Sequence, residues 1–175
     1  MNNKIVVILG SSRSNGNTRK IINYLNTLDT HIDIVDLNNY NIGYYDYKFK
    51  NYNDDFFELF KSLLTYNTLV FATPIYWYTM SAQLKTFLDR ISDALKGEKK
   101  EFGRQLRGKY LAVISCGSDD EIFDGFTMPF IESAKYLGMN YIGHVHTWVE
   151  KDILIPNKIN LDIKEFYELI SPKIT

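Results

Sequence analysis

The sequence predicts one three-layer α/β domain over residues 1–175, in which helices cover both faces of a mainly parallel sheet. Three observations support this. Five apolar runs of strand length alternate with five helical patterns. The runs at 4–9, 67–73 and 109–115 are apolar almost throughout rather than alternating, which is typical of strands buried on both faces. The length of 175 residues suits a single domain with a full core.

The first half of the chain forms a strand–helix–strand unit and a further helix–strand pair. The strands are predicted at 4–9, 31–37 and 67–73. The first helix is predicted from Asn17, because Ile21, Leu25 and Leu28 fall on one side at helical spacing. The second helix is expected to begin at Asp54 or Asp55. Pro74 is expected to end the third strand, since its ring removes a backbone donor.

The second half repeats the alternation. The third helix is predicted from about Ser81, which is a plausible N-cap. Strands follow at 109–115 and 139–148, and helices at 123–137 and 161–170. Pro129 must lie near the first turn of its helix or kink it. The polar, Gly-rich stretch 96–108 is predicted to be an exposed loop.

Residues 38–53 form a long connection that is rich in tyrosine. Aromatic residues make up 15% of the whole chain, and this stretch contains six of them: Tyr40, Tyr44, Tyr45, Tyr47, Phe49 and Tyr52. So many rings will not all lie in water. Two interpretations stay open: packing over a sheet edge, or a dimer surface or lid beside a ligand.

Composition excludes several classes of protein. The net charge of −1 is unlike the basic excess of a nucleic-acid-binding protein. One cysteine excludes an internal disulfide framework and any multi-cysteine metal cluster. His144 and His146 share a strand face without a third ligand nearby in sequence, so no metal site is predicted. No apolar run approaches the roughly 18 residues of a membrane span, and no signal peptide is evident. We therefore expect a cytoplasmic protein that binds neither membrane nor nucleic acid.

The loop at 10–17, with the sequence GSSRSNGN, is predicted to hold a phosphate. It joins a buried strand to a helix N-terminus, where backbone N–H groups and the helix dipole favour an anion. A nucleotide-triphosphate P-loop is excluded, because five residues separate Gly10 from Gly16 and Asn17 replaces the lysine. The GxGxxG dinucleotide pattern is absent. The hydroxyls, amides and Arg13 of the loop suit a terminal monophosphate. The alternative is a plain turn with Asn17 or Ser14 as helix cap.

The loop at 74–79, PIYWYT, lies at the carboxyl end of the third strand and offers three consecutive aromatic rings. In a parallel sheet this end shares an edge with the phosphate loop and with residues 116–120, where ligands of such folds bind. A monophosphate at one end and a flat apolar group at the other describe flavin mononucleotide (FMN). Taken alone, such an aromatic run is more often part of a core or an interface.

The sequence resembles the NAD(P)H-dependent FMN reductases of the flavodoxin-like superfamily. GSSRSNGNT follows the first strand, and TPIYWYTMSAQLKTFLDR spans 73–90. The second segment matches the family pattern at nine positions: Thr73, Pro74, Tyr76, Ser81, Leu84, Lys85, Phe87, Asp89 and Arg90. LRGK at 106–109 and LGM at 137–139 extend the resemblance over essentially the whole chain.

The resemblance implies a flavodoxin-like fold with five parallel strands in the order 2-1-3-4-5 and a noncovalent FMN. By position it implies that the phosphate is held by Ser11, Arg13, Asn15, Asn17 and Thr18. It implies that the ribityl chain and ring are lined by Pro74, Ile75, Tyr76, Trp77 and Tyr78. The far side of the flavin would be approached by Ser115, Cys116, Gly117 and Ser118.

The resemblance also implies the reaction and the partners. NADPH or NADH delivers hydride to the flavin, and a small acceptor then takes the electrons: a quinone, an azo or nitro compound, or free flavin. Backbone N–H groups at 116–118 would stabilise the charge of the reduced ring. No side chain is expected to act as a catalytic acid, base or nucleophile, since the cofactor supplies the chemistry. A homodimer is expected, because active sites of similar proteins form at subunit boundaries.

The main alternative is an electron-carrier flavodoxin without a nicotinamide site. Such carriers tend to be strongly acidic, whereas this chain is nearly neutral. A flavin-free interaction domain with the same fold is a further alternative. Cys116 is interpreted as a small packing residue, with a redox role near the flavin as the less favoured reading.

Overall fold

The computed structural model describes residues 4–151 and 154–171, and within them it contains a five-stranded parallel sheet in the order β2-β1-β3-β4-β5. The strands are β1 (Ile5–Leu9), β2 (Asp33–Asp36), β3 (Thr68–Pro74), β4 (Tyr110–Gly117) and β5 (Asn140–Trp148). Every pairing between neighbouring strands is parallel. The predicted fold class and strand order are therefore confirmed.

Six α-helices connect and cover these strands. They are α1 (Asn17–Leu28), α2 (Phe56–Leu63), α3 (Ala82–Arg90), α4 (Lys100–Arg104), α5 (Met128–Leu137) and α6 (Asn157–Ile170). Short 3₁₀ segments at Leu37–Asn39, Ile91–Leu95 and Gly97–Lys99 complete the set. α1 to α3 begin within two residues of the predicted starts.

Three predictions were wrong in detail. The stretch 96–108 is not simply an exposed loop, because it holds α4 and packs Gly103 and Leu106 into the interior. α5 begins at Met128, five residues later than predicted, with Pro129 in its first turn, where the missing N–H costs nothing. α6 begins at Asn157, directly after Pro156, and not at 161.

The sheet is buried on both faces, as the unbroken apolar strands predict. One core lies between the sheet and α2, α3 and α5, and its largest buried side chains include Phe56, Phe60, Phe87 and Phe130. The other core lies against α1 and α6 and includes Ile21, Ile22, Leu25 and Ile163. β1 and β3 are buried at every residue. The two cores fix the central strands, whose carboxyl ends therefore form a rigid edge.

Pro74 is the last residue of β3, one residue beyond the predicted strand. It pairs with Cys116 of β4, and the next N–H, of Ile75, donates to the Cys116 carbonyl at 3.0 Å. The proline is tolerated because it stands at the strand terminus. Backbone contact between β3 and β4 thus continues to the point where both strands open into loops.

The tyrosine-rich segment 38–53 runs along α2 and the end of α3. Tyr40 packs partly against the core, whereas Tyr44 and Tyr47 are exposed. The buried guanidinium of Arg90 donates to the carbonyls of Gly43 and Asn51. A buried cation at the end of α3 therefore fixes the backbone of this segment at two points.

Candidate functional site

The three loops singled out in the sequence meet in one cleft at the carboxyl edge of the sheet. The cleft has a volume of about 390 Å³. Its lining comes from the loop after β1 and the start of α1, from the end of β3, from the end of β4, and from the segment after β5. The lining residues are Ser11, Arg13, Gly16, Asn17, Thr18, Pro74, Ile75, Tyr76, Cys116, Gly117, Ser118, Val149 and Lys151.

Ten of the fourteen residues expected at the cofactor lie along this cleft. Four do not line it: Asn15, Trp77, Tyr78 and Ser115. Asn15 is exposed on the outer side of its loop. The Ser115 side chain is fully buried between two histidines. Trp77 and Tyr78 form the tip of an exposed turn beside the cleft.

The N-terminus of α1 opens into the cleft without a side-chain cap. Its N-cap is Gly16, and no side chain hydrogen-bonds to the first turn from that position. The alternative of Ser14 or Asn17 as the N-cap of a plain turn is therefore not what the structure shows. The first N–H groups of a helix have no acceptor within the helix. The first turn also contains no acidic residue, which leaves the positive end of the helix dipole uncompensated there.

Asn38, which was not predicted as a site residue, holds the backbone of the loop at 10–17. Asn38 donates from Nδ2 to the Ser11 carbonyl at 2.8 Å and to Ser14 Oγ at 3.1 Å. Its own Oδ1 accepts from Gln83 Nε2 at 2.9 Å. Asn38 lies two residues after the end of β2, which pairs with β1, and directly after the predicted strand at 31–37, so its position at this edge was available from the predicted topology.

Ser81 joins the phosphate loop to α3. Its Oγ donates to the Gly10 carbonyl at 2.8 Å and accepts from the Leu84 N–H at 3.1 Å, so it acts as the predicted N-cap of α3. Gly10 is required here for space, because a Cβ at this position would lie 2.6 Å from Leu84 Cβ. Ser81 N–H donates to Thr73 Oγ1 at 2.9 Å. The end of β1, the end of β3 and α3 are thus held at fixed spacing.

Residues 76–79 form a tight turn in which the backbones of Tyr76 and Thr79 hydrogen-bond in both directions. The two residues at its tip have positive φ angles, 48° for Trp77 and 65° for Tyr78. This conformation normally favours Asn and Gly, and large side chains adopt it at a cost of about 1 kcal/mol or more each. Trp77 is 91% exposed. A strained, exposed tryptophan beside a cleft is typical of a functional rather than a packing role.

The aromatic turn contacts both other loops of the cleft. The Tyr76 hydroxyl lies 2.9 Å from Ser12 Oγ of the phosphate loop. The Tyr78 ring packs edge-to-face on Phe123 of the segment after β4, with centroids 4.6 Å apart. The turn is therefore held between the loop at 10–17 and the segment after β4, and its Tyr76 lines the cleft.

The charges of the cleft favour an anion. Arg13 and Lys151 both line it, and no carboxylate is among its described lining residues. Cys116 lies at its floor and is buried. Burial raises the pKa of the Cys116 thiol despite hydrogen bonds to Thr147 and Thr18 that lower it. The thiol therefore stays protonated at neutral pH, which supports the packing role expected for this cysteine.

This combination of fold and cleft agrees with the sequence relationships of the chain. Residues 3–152 match the family model described as NADPH-dependent FMN reductase. The chain belongs to this family. It is 32% identical over 157 residues to a Bacillus subtilis (strain 168) protein named as an NAD(P)H-dependent FMN-containing oxidoreductase, YwqN, covering 81% of this chain and 83% of that protein. The present protein is accordingly an FMN-dependent oxidoreductase that uses NAD(P)H.

Solved structures give the same fold. The Trp repressor binding protein from Bacillus subtilis superposes with a TM-score of 0.75 at 26% identity, covering 97% of this chain and 99% of that one. The two-electron reduced flavodoxin of Megasphaera elsdenii superposes with a TM-score of 0.59 at 12% identity, covering 95% and 98%. The fold is flavodoxin-like. Among the described residues, no helix is long and apolar enough to cross a membrane.

Proposed function

We propose that this reductase passes electrons from NAD(P)H, through FMN bound in the cleft, to a small planar acceptor that docks at the aromatic turn 76–79. The observation that carries the proposal is the cleft itself, which joins an uncapped helix N-terminus to an exposed, strained aromatic turn. We place the reaction in the cytoplasm, where nicotinamide cosubstrates are available.

The residues of the cleft fit a flavin mononucleotide in one orientation. Its phosphate would be held by the N-terminus of α1, with the Ser11 and Thr18 hydroxyls, the Asn17 amide and the Arg13 guanidinium around it. Lys151, which also lines the cleft, supplies a second cation. The apolar surface of Pro74, Ile75 and Tyr76 suits the flat ring system.

The end of β4 would form the other wall. Gly117 and Ser118 line the cleft with little side-chain bulk, so that their backbone can approach a ring closely. N–H groups of residues 116–118 are proposed to stabilise negative charge at the pyrimidine end of the ring. When bound, FMN supplies the chemistry of hydride acceptance and electron transfer. The side chains of this protein bind and orient the cofactor and keep Cys116 protonated and buried beneath it.

The acceptor would be an aromatic molecule: a quinone, an azo or nitro compound, or a free flavin. Trp77 and Tyr78 offer flat apolar surface beside the cofactor cleft and are exposed before the acceptor binds. Aromatic rings stack in offset geometry with planar partners. A carrier flavodoxin remains the contrasting possibility, but membership of the reductase family and the near-neutral charge disfavour it.

Anaerobic titration tests the proposal directly. The purified protein is loaded with FMN and mixed with NADPH or NADH, and the flavin absorbance is followed. We expect bleaching within the mixing time by at least one nicotinamide, followed by reoxidation on addition of a quinone, azo or nitro compound. An FMN-loaded protein that neither nicotinamide reduces would support the carrier instead.

A charge substitution tests the phosphate end. Asn17→Asp places a carboxylate at the start of α1, inside the cleft. We expect FMN affinity to fall about tenfold, because one like-charge contact costs on the order of 1 kcal/mol in a partly exposed site. Asn15→Asp is the matched control, since it adds the same charge to the same loop on its exposed side and is expected to have a smaller effect. Equal affinities for Asn17→Asp and the wild type would remove Asn17 from the site.

We also propose a homodimer formed through the groove between α3 and α5. This groove has a volume of about 420 Å³ and is lined by both apolar and charged side chains. Tyr136, which lines it, is 81% exposed, and Leu88 and Leu95 add apolar surface. Such a patch is typical of an interaction site. Sedimentation at micromolar concentration is expected to give twice the monomer mass of 20.4 kDa, and a monomer would contradict the proposal.

A further inference from the structure

Two histidines on the edge strand β5 share one serine of β4. The parallel register places His144 opposite Val113, and His146 opposite Ser115. Ser115 Oγ lies 2.8 Å from His144 Nε2 and 2.8 Å from His146 Nδ1. The serine is fully buried. Nothing in the proposed reaction uses these three side chains, although Ser115 directly precedes the loop that lines the cleft.

The outer nitrogen of His146 lies against the backbone of that loop. His146 Nε2 is 3.0 Å from the Asp119 carbonyl oxygen. The ring also packs under Gly117, where a Cβ would approach His146 Cε1 to 2.9 Å. His146 therefore touches the loop at both Gly117 and Asp119, and Gly117 lines the cleft.

The positions of the protons follow from these partners. A carbonyl oxygen only accepts, so His146 Nε2 carries the hydrogen and donates it to Asp119. In the neutral ring, His146 Nδ1 must then accept from the Ser115 hydroxyl. Ser115 Oγ is left to accept from His144 Nε2–H. Ser115 and His146 each accept one hydrogen bond and donate one, so the chain runs in a single direction from His144 to the Asp119 carbonyl.

The surroundings keep the inner histidine neutral. Burial and, to a smaller extent, the neighbouring His146 together lower the pKa of His144 to about 4. The ring of Phe126 packs at 5.5 Å from that of His144. At neutral pH His144 thus has one N–H, and the hydrogen bond to Ser115 places it on Nε2.

We propose that His146 is a positioning residue for the cofactor: its Nε2–H holds the backbone of residues 117–119 in the conformation that receives the flavin, and Ser115 and His144 fix its tautomer. The inference rests on the proposed function in one respect, namely that this loop faces FMN. The ring touches neither the cleft nor the reacting atoms, so its effect passes through the loop backbone.

The tautomer is measurable in the protein without cofactor. Long-range ¹H–¹⁵N correlation spectra at pH 7.5 are expected to show His146 protonated at Nε2 and unprotonated at Nδ1. Ser115→Ala removes the hydroxyl donor and is expected to give a mixture of both tautomers. A wild-type His146 protonated at Nδ1 would overturn the proposal, because that ring cannot donate to Asp119.

Affinity for FMN, measured by quenching of flavin fluorescence, tests the consequence. His146→Leu keeps bulk but removes the donor, and we expect FMN to bind about five- to tenfold more weakly, as for the loss of one hydrogen bond. His146→Gln keeps an N–H near the position of Nε2 and is expected to stay within about twofold of the wild type by the same reasoning. His31→Leu is the matched control, since its side chain is 94% exposed and far from the cleft.

Hydrogen exchange of the Gly117, Ser118 and Asp119 amides provides a readout that general destabilisation would not reproduce. His146→Leu is expected to speed exchange at these amides selectively, leaving the β1 and β3 amides protected. If His146→Leu fails to fold, two other measurements test the inference: the tautomer of His146 in Ser115→Ala, and the FMN affinity of His146→Gln. A wild type that binds no FMN would refute the proposed function, whereas a wild type that binds FMN no better than His146→Leu would refute only this inference.

Discussion

Two aromatic regions of this reductase look alike in sequence and differ in how they are held. The segment 38–53 and the turn 76–79 are both dense in tyrosine. The first is fixed by a buried arginine and by lysines over its rings, whereas the tip of the second carries Trp77, which is 91% exposed. The contrast shows that aromatic content does not decide function here. The difference lies at Trp77, whose ring is left exposed, whereas the flanking Tyr76 and Tyr78 contact Ser12 and Phe123.

The anchoring of the first region centres on Arg90. Its guanidinium pairs with Asp54 and Asp93 and is itself 3% exposed. It also stacks over the Phe56 ring at 4.8 Å. The carbonyls of Gly43 and Asn51 accept its remaining hydrogens. A buried cation with every partner in place is costly to disrupt, because each carboxylate left behind would be buried without its counter-charge.

Among the substitutions that test this comparison, Arg90→Met is expected to change the free energy of unfolding the most. It is expected to lower the free energy of unfolding by about 3–5 kcal/mol, the usual range when one member of a buried ion pair is removed. Urea denaturation measures the change. Arg104→Met is the control, since its pair with Glu101 is solvent-exposed and its loss is expected to cost under about 0.5 kcal/mol.

Acid provides a second check on the same anchor. Burial raises the pKa of Asp54, but hydrogen bonds from Arg90 and from the Gly43 and Phe56 N–H groups lower it more, so that it lies below the ordinary value of 3.8. This stabilisation is present above pH 3.8 and is lost as pH falls through the folded-state pKa. The wild type is therefore expected to lose stability below pH 3.8 faster than Arg90→Met. If the free energy of unfolding falls equally with pH in both proteins, Asp54 does not stabilise the fold through Arg90.

Substitution in the aromatic turn is expected to raise the free energy of unfolding rather than lower it. Replacing Trp77-Tyr78 by Asn-Gly puts preferred residues at two positive φ angles, and we expect a gain of about 1–2 kcal/mol in stability. The same variant is expected to lose kcat/KM for aromatic acceptors while FMN affinity stays unchanged. Urea denaturation and steady-state kinetics measure the two effects.

The control for the turn is Tyr44→Asn, which alters an exposed aromatic residue of the anchored segment. It is expected to change stability by less than about 0.5 kcal/mol, as for an ordinary surface substitution. A double variant of the turn that is no more stable than the wild type would mean that the strain at Trp77 and Tyr78 is relieved by contacts within the chain.

The smallest expected effect concerns Lys99. Its Nζ lies 3.8 Å from the Tyr52 ring centroid and 3.7 Å from that of Phe57. Lys99→Met keeps the apolar stem but removes the cation, and we expect a loss of about 0.5–1 kcal/mol. Lys100→Met, an exposed neighbour, is the control. Equal stability of the two variants would show that the cation adds nothing to the packing of the stem.

Most residues of the sequence pattern that indicated the family form a scaffold around the cleft. Thr73 and Ser81 link the end of β3 to α3, and Leu84 packs on Gly10. Phe87 lies in the core, and Arg90 holds the segment 38–53. These residues keep the loops of the cleft at fixed spacing. Within the pattern, Pro74 and Tyr76 line the cleft directly.

By itself, the sequence determined the alternation of strands and helices and the family, and the resemblance to that family implied the order of the strands. It could do so because unbroken apolar strands, a strand–loop–helix junction and a spaced motif are all local along the chain. Only the tertiary structure decided which side chains meet. Parallel pairing brings three features from distant segments to one edge: Asn38 beside the loop at 10–17, Lys151 in the lining of the cleft, and the two histidines that share Ser115. The exposure of Trp77 could not be predicted either. A run of three aromatic residues has the same sequence whether its rings are buried in a core or exposed beside a cleft.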